Sequence, residues 1–137
     1  MNHQDKINRL TELSLLAIKR LQELPQPVVR VSGPLTSGGY GYEENLRRFK
    51  IAQEKLKNSG YTVFDYFEEP HNEALIVELD MRWQEVMEYY HRPIMETRLM
   101  SAVFMMPRWQ ESNGAKLEYE YAIRLGLEIE EIPEGWF

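Results

Sequence analysis

Apolar positions recur along the chain with two different periods. From Asp5 to Leu24, the residues Ile7, Leu10, Ser14, Ala17, Leu21 and Leu24 fall at alternating three- and four-residue steps. Lys, Arg and Glu lie between them, which is the spacing of a helix with one apolar face. Pro25 and Pro27 end this segment. The period then shortens to that of strands. Val28 to Ser32 is a short β-branched run that opens into the loop Gly33-Pro34-Leu35-Thr36-Ser37-Gly38-Gly39. Tyr42 to Asn58 reads as a helix closed by Gly60, where a left-handed residue is usual. Tyr61 to Phe64 forms a second strand ending at Asp65, and Ala102 to Met106 a third ending at Pro107. Asn113 to Leu125 is a helix closed by Gly126, and Leu127 to Ile132 is the last strand. Between the second and third strands, Glu73 to Tyr90 reads as one helix, with Pro93 starting another after a break.

Strands separated by single helices pair in parallel through right-handed crossovers. The expected fold is therefore α/β, a small doubly wound parallel sheet of flavodoxin-like type. Residues 1–27 are expected to add an N-terminal amphipathic helix and linker, and residues 28–137 to form the α/β domain. Ligands in such folds bind at the carboxyl ends of the strands.

Composition narrows the chemistry. The 137 residues carry 16 Lys and Arg against 22 Asp and Glu, a formal charge of −6. An acidic chain lacks the broad basic face that nucleic-acid polymers require. With no cysteine, a disulfide scaffold, a thiolate metal site and a cysteine nucleophile are all excluded. The three histidines (His3, His71, His91) have no paired spacing, so neither a metal nor another cofactor is expected. No apolar run approaches the roughly 18 residues of a membrane span, and the start lacks a signal-peptide pattern. A cytoplasmic protein without membrane contact is the expectation. Charge is also uneven along the chain. Nine acids and two arginines lie between Asp65 and Glu96, whereas Val28 to Gly60 holds six basic residues and three acids.

Two segments carry candidate chemistry. The glycine-rich loop after the first strand lets backbone amides approach a ligand, although it is neither a Walker loop nor a dinucleotide fingerprint. The second segment is Ser112-Asn113-Gly114-Ala115-Lys116-Leu117-Glu118. Ser112 or Asn113 can cap the helix, leaving free first-turn amides for an anion. Winding the segment as a helix puts Glu118 with Ala115, Ala122 and Leu125 on the inward side, opposite Lys116, Glu120 and Arg124. A carboxylate on a buried face is costly unless it is paired or used.

The chain resembles the nucleoside 2-deoxyribosyltransferase-like superfamily, particularly its small bacterial and phage members. The matching features are a strand running into Ser32-Gly33-Pro34-Leu35-Thr36, a helix ending at Asn58-Ser59-Gly60-Tyr61, and the block from Pro107 to Glu118 followed by Ala122 and Leu125-Gly126. The resemblance implies that Glu118 is the nucleophile or cation stabiliser at the anomeric carbon of a sugar. Breaking an N-glycosidic bond develops oxocarbenium charge, which a preplaced carboxylate stabilises or captures. The transferases carry Asp where this chain has Ser112. Related hydrolases of nucleoside 5′-monophosphates carry Ser there, directed at the 5′-phosphate, which a hydroxyl can bind and a carboxylate would repel.

The resemblance therefore implies an enzyme that cleaves or transfers at the N-glycosidic bond of a (deoxy)nucleoside 5′-monophosphate, hydrolysis ahead of base exchange. His91 is the candidate for protonating the base. Ser32, Gly33, Pro34, Leu35, Tyr40, Asp65, Trp109, Ser112, Asn113 and Gly114 form the expected binding set, and Tyr40, Tyr42, Tyr66 and Trp109 are the candidates to stack on a base. Two positions depart from the family: its Arg-Asp pair reads Arg92-Pro93, and its acid before the third strand is Ser101. They motivate an alternative, a catalytically impaired nucleotide-binding protein of the same fold that senses or sequesters its ligand. The aromatic tail Gly135-Trp136-Phe137 is expected to dock on the domain or on a second subunit, because the resemblance implies a homo-oligomer.

Overall fold

A computed structural model describes residues 1–36, 38–68 and 73–137. Ser37 of the glycine-rich loop, and Glu69 and His71 of the acidic connection, lie outside the described residues. Among the described residues, the elements form a four-stranded parallel sheet with helices on both faces. The chain runs α1 (His3–Glu23), β1 (Val28–Ser32), α2 (Tyr42–Asn58), β2 (Thr62–Val63) and α3 (Glu73–Glu78). It continues through α4 (Trp83–Val86), a π-turn (Met87–His91), α5 (Arg92–Glu96), β3 (Met100–Met105), α6 (Asn113–Leu125) and β4 (Glu128–Glu131). The strand order is β2-β1-β3-β4, with every pairing parallel, as expected for the flavodoxin-like class.

Strand alternation sorts the core into two layers. On one face, Val28, Val103 and Met105 pack with Leu10, Leu13, Ala17 and Leu21 of α1 and with Ala115 and Ala122 of α6. On the other, Val29, Val31, Ala102 and Phe104 pack against Phe49, Ala52 and Leu56 of α2. The N-terminal helix is thus part of the main core. Ser14 shares its buried stripe and donates to the Tyr90 carbonyl of the π-turn at 2.8 Å. The aromatic tail docks on α2, with Lys55 over Trp136 and Arg48 over Phe137.

The connection between β2 and β3 differs from the sequence expectation. The helix that begins at Glu73 stops at Glu78 because Leu79 turns into the core and Asp80 adopts a left-handed backbone, φ 49°. No break precedes Pro93. The helix from Trp83 to Glu96 runs through it, widened at Met87–His91, where Arg92 N–H donates to the Met87 carbonyl five residues back. Pro93 has no N–H and its ring crowds the carbonyl of residue 89, so an α ladder cannot pass there; the π-turn absorbs the misfit. Among the described residues, no helix is long and apolar enough to cross a membrane.

Candidate functional site

The carboxyl end of β1 opens into a cavity of about 410 Å³, walled by the N-terminus of α6, the π-turn and α3. β1 reaches it through alternation. Val28, Arg30 and Ser32 share one face of the strand; Val28 fills the core, and the next two positions are polar and line the cavity. Gly33 follows, packed so closely on Met106 that a Cβ there would overlap the Met106 Cβ. From the other side, Ser112 caps α6, its Oγ accepting from the Ala115 N–H at 3.1 Å. The N–H groups of Asn113 and Gly114, first in that helix, have no carbonyl within it to bind. One turn further in, Glu118 is buried against the cavity floor.

Arg30 organises the floor. Its side chain is 2% exposed, and its Nε lies 3.7 Å from Glu118 Oε2, whose side chain is 8% exposed. Nη2 donates to His91 Nδ1 at 3.3 Å, and the guanidinium lies over the rings of Phe64 and Tyr66. Arginine can only donate, so His91 Nδ1 is the acceptor and carries no proton. The imidazole proton then sits on Nε2, which reaches the Tyr66 hydroxyl at 3.2 Å. Burial and the Arg30 charge hold the His91 pKa well below its usual range, so the ring is neutral. Burial likewise pushes the Tyr66 phenol well above its ordinary value. Despite these contacts, Arg30 Nε and Nη1, Ser32 Oγ and Glu118 Oε2 make no hydrogen bond.

A second buried carboxyl also lines the cavity. Glu73, the first residue of α3, accepts from the Tyr42 hydroxyl at 3.2 Å. Burial raises its pKa above the usual carboxylate value, against the lowering effect of that hydrogen bond and of Lys50. The remaining wall is apolar, formed by Ile76, Val86 and Met87, with Trp83 and Asp80 at the more exposed side.

Of the residues expected from sequence, Ser32, Gly33, Leu35, Tyr66, His91, Ser112, Asn113, Gly114 and Glu118 line one cavity, and Tyr42 reaches it through its hydrogen bond to Glu73. The other four lie elsewhere. Pro34 is buried beneath Gly39. Tyr40 sits between the Arg48 and Arg108 guanidiniums and donates to Glu134. Asp65 accepts from the Phe67 N–H and pairs with Lys57. Trp109 stacks on Tyr119 with ring centroids 4.6 Å apart, and its indole N–H donates to Glu131. The far half of the glycine loop also turns away, with Gly39 N–H bound to Glu111. The positive excess of Val28–Gly60 does not reach the cavity as a patch, since Arg47 and Arg48 both bind Glu44. Arg30 is the cation from that segment that does.

Arg30 and Glu73 were not singled out from the sequence. Arg30 had a readable signal: it is the lone charge in a five-residue β-branched strand. A central parallel strand is covered on both faces, so that charge had to be buried. Glu73 had none, because the Tyr42 hydroxyl that meets its carboxyl comes from a helix 31 residues away. Among the described residues, no group of three or more His, Asp or Glu is placed to hold a metal ion. A family model described as Domain of unknown function (DUF4406) matches residues 27–131. No curated protein and no solved structure matches the chain.

Proposed function

From the premise that the chain belongs to the DUF4406 family, we propose that it is a nucleoside 2-deoxyribosyltransferase-like enzyme. It acts at the N-glycosidic bond of a (deoxy)nucleoside 5′-monophosphate, with hydrolysis ahead of base transfer. The observation that carries this reading is the buried carboxylate of Glu118, with one oxygen free of hydrogen bonds, on the floor of a cavity of nucleotide size. Glu118 attacks C1′, or stabilises the cation forming there, as the bond to the base nitrogen breaks. Water then releases the sugar phosphate. The Ser112 hydroxyl and the Asn113 and Gly114 amides receive the phosphate at the N-terminus of α6. The base lies against the apolar wall near Trp83.

The departing base needs a proton. His91 is the expectation from sequence, but its Nδ1 accepts from Arg30 and its Nε2 proton is engaged by Tyr66. Its task in this reading is to hold Arg30 in place. Glu73, the cavity carboxyl whose pKa burial raises, is the acid that supplies the proton. One observation favours a second reading, nucleotide binding without turnover: the Arg30 cation 3.7 Å from Glu118 opposes positive charge at C1′.

The test is incubation with the common nucleoside 5′-monophosphates and chromatography for free base. Base release by the wild type that is lost in Glu118→Ala supports the enzyme. Equal behaviour of the two proteins across all substrates removes the enzymatic reading. Calorimetric binding with the nucleotide recovered intact would establish the second reading instead.

A further inference from the structure

Three residues that line the cavity carry buried polar atoms without hydrogen-bond partners: Arg30 (Nε and Nη1), Ser32 (Oγ) and Glu118 (Oε2). The set is of mixed sign. The arginine atoms are donors only, the carboxylate oxygen is an acceptor, and the serine hydroxyl is either. Arg30 is held from behind, by His91 Nδ1 at 3.3 Å and by the rings of Phe64 and Tyr66, so it is not free to swing away and find another partner. Buried polar groups left in this way are expensive, so a ligand group that displaces water from them must itself complete their hydrogen bonds.

The ligand group that completes them must both donate and accept. A phosphate only accepts and would bring negative charge against Glu118. A methylene does neither. An alcohol does both, donating to Glu118 Oε2 and accepting from Arg30 or Ser32.

We infer that the sugar this site takes carries a hydroxyl on the carbon next to the reacting one, so that the substrate is a ribonucleotide rather than a 2′-deoxyribonucleotide. The inference rests on the N-glycosidic reading of Glu118 and adds to it the identity of the sugar. Stereochemistry supports it. Displacement at C1′ of a β-nucleotide comes from the face opposite the base, and the ribose 2′-hydroxyl lies on that same face. A carboxylate placed for the attack is therefore beside that hydroxyl, and Arg30 is beside the carboxylate. In a 2′-deoxynucleotide the same burial would leave both the donor and the acceptor unmatched. Arg30 is then the residue that determines sugar specificity, and His91 is the residue that positions it.

The experiment compares matched 5′-monophosphates of one base bearing ribose, 2′-deoxyribose or arabinose, whose 2′-hydroxyl lies on the base's side. Both base release and calorimetric affinity are measured. A site built to bind a hydroxyl rejects an analogue lacking it by large factors, so a preference for ribose of roughly a hundredfold or more in kcat/KM is expected. The arabinose compound should behave like the deoxy compound. Arg30→Lys keeps the charge but loses the planar fork, and should reduce the preference to within about tenfold. Ser32→Ala gives a second, milder reduction should the arginine variant fail to fold, as judged by circular dichroism. Equal or better turnover of the deoxynucleotide overturns the inference while leaving the N-glycosidic reading intact. So does a preference unchanged in folded variants. If the nucleotides bind without turnover, the same ratios are read from Kd. If none binds or releases base, the functional reading fails and this inference fails with it.

Discussion

Arg30 and Glu118 lie 3.7 Å apart on the cavity floor, one in the central strand of the sheet and the other a turn into α6, and both are almost wholly buried. Ion pairs of this kind stabilise little beyond what their desolvation costs, but breaking one leaves a lone buried charge. Arg30→Met or Glu118→Leu alone is expected to cost about 3–5 kcal/mol of folding free energy. The double variant should recover much of that loss, because neither charge is then stranded. Urea denaturation of the four proteins gives the coupling energy directly. Additive losses would show that the two side chains do not interact.

His91 gives a pH dependence whose sign is fixed by its surroundings. Arg30, Glu118 and Tyr66 face the ring, and its folded pKa lies well below the unfolded reference of 6.5. Above that pH, both states are neutral at this position and no stability is lost. As the pH falls below about 6.5, the unfolded chain takes up the proton first and stability declines, by up to about 1.4 kcal/mol per pH unit. His91→Asn retains an acceptor for Arg30 and should remove this decline. Glu73 works in the opposite direction, since its raised folded pKa favours the folded state on acidification. The difference between wild type and His91→Asn, measured by chemical denaturation from pH 7.5 to 5, therefore isolates the histidine.

Glu73→Gln tests the acid. The amide preserves the shape and keeps an acceptor for Tyr42, but it has no proton to give. Base release should fall by roughly a hundredfold or more, with little change in nucleotide affinity. The decline of kcat toward alkaline pH should disappear in the variant. An unaltered pH profile would assign base protonation to solvent.

Ser14→Ala tests the tie between α1 and the π-turn. The substitution removes the 2.8 Å hydrogen bond to the Tyr90 carbonyl and is expected to cost about 1 kcal/mol. Because Tyr90 adjoins His91, nucleotide affinity should fall as well. A melting temperature and a Kd equal to those of the wild type would show that the helix end is held by packing alone.

Much of the scaffold was legible because its signals are local. The bounds of α2 and α6 follow from their apolar spacing and from Gly60 and Gly126, which adopt φ of 96° and 71° just past the helix ends. Glu118 was legible for the same reason, since a helical face can be counted. What escaped depends on contacts distant in sequence. Arg30 was masked by its strand-forming neighbours, and its partners lie 61 and 88 residues away, in the π-turn and α6. Tyr40, Asp65 and Trp109 were read from proximity to strand ends, but proximity does not fix the direction of a side chain. Tyr40 and Trp109 satisfy neighbouring charges and rings outside the cavity.

The π-turn at Met87–His91 has a genetic meaning as well as a geometric one. It fits one residue more than an α-helix would in the same circuit, which makes it equivalent to a single-codon insertion tolerated inside a helix. Ile94 and Met95 downstream remain seated in the core, so the extra residue is absorbed locally and not passed along. Removing one residue from this turn would rotate His91 away from Arg30 and return Pro93 to an α ladder that it cannot complete. The extra residue and Pro93 are therefore gained or lost together, and with them the placement of His91 on the cavity floor.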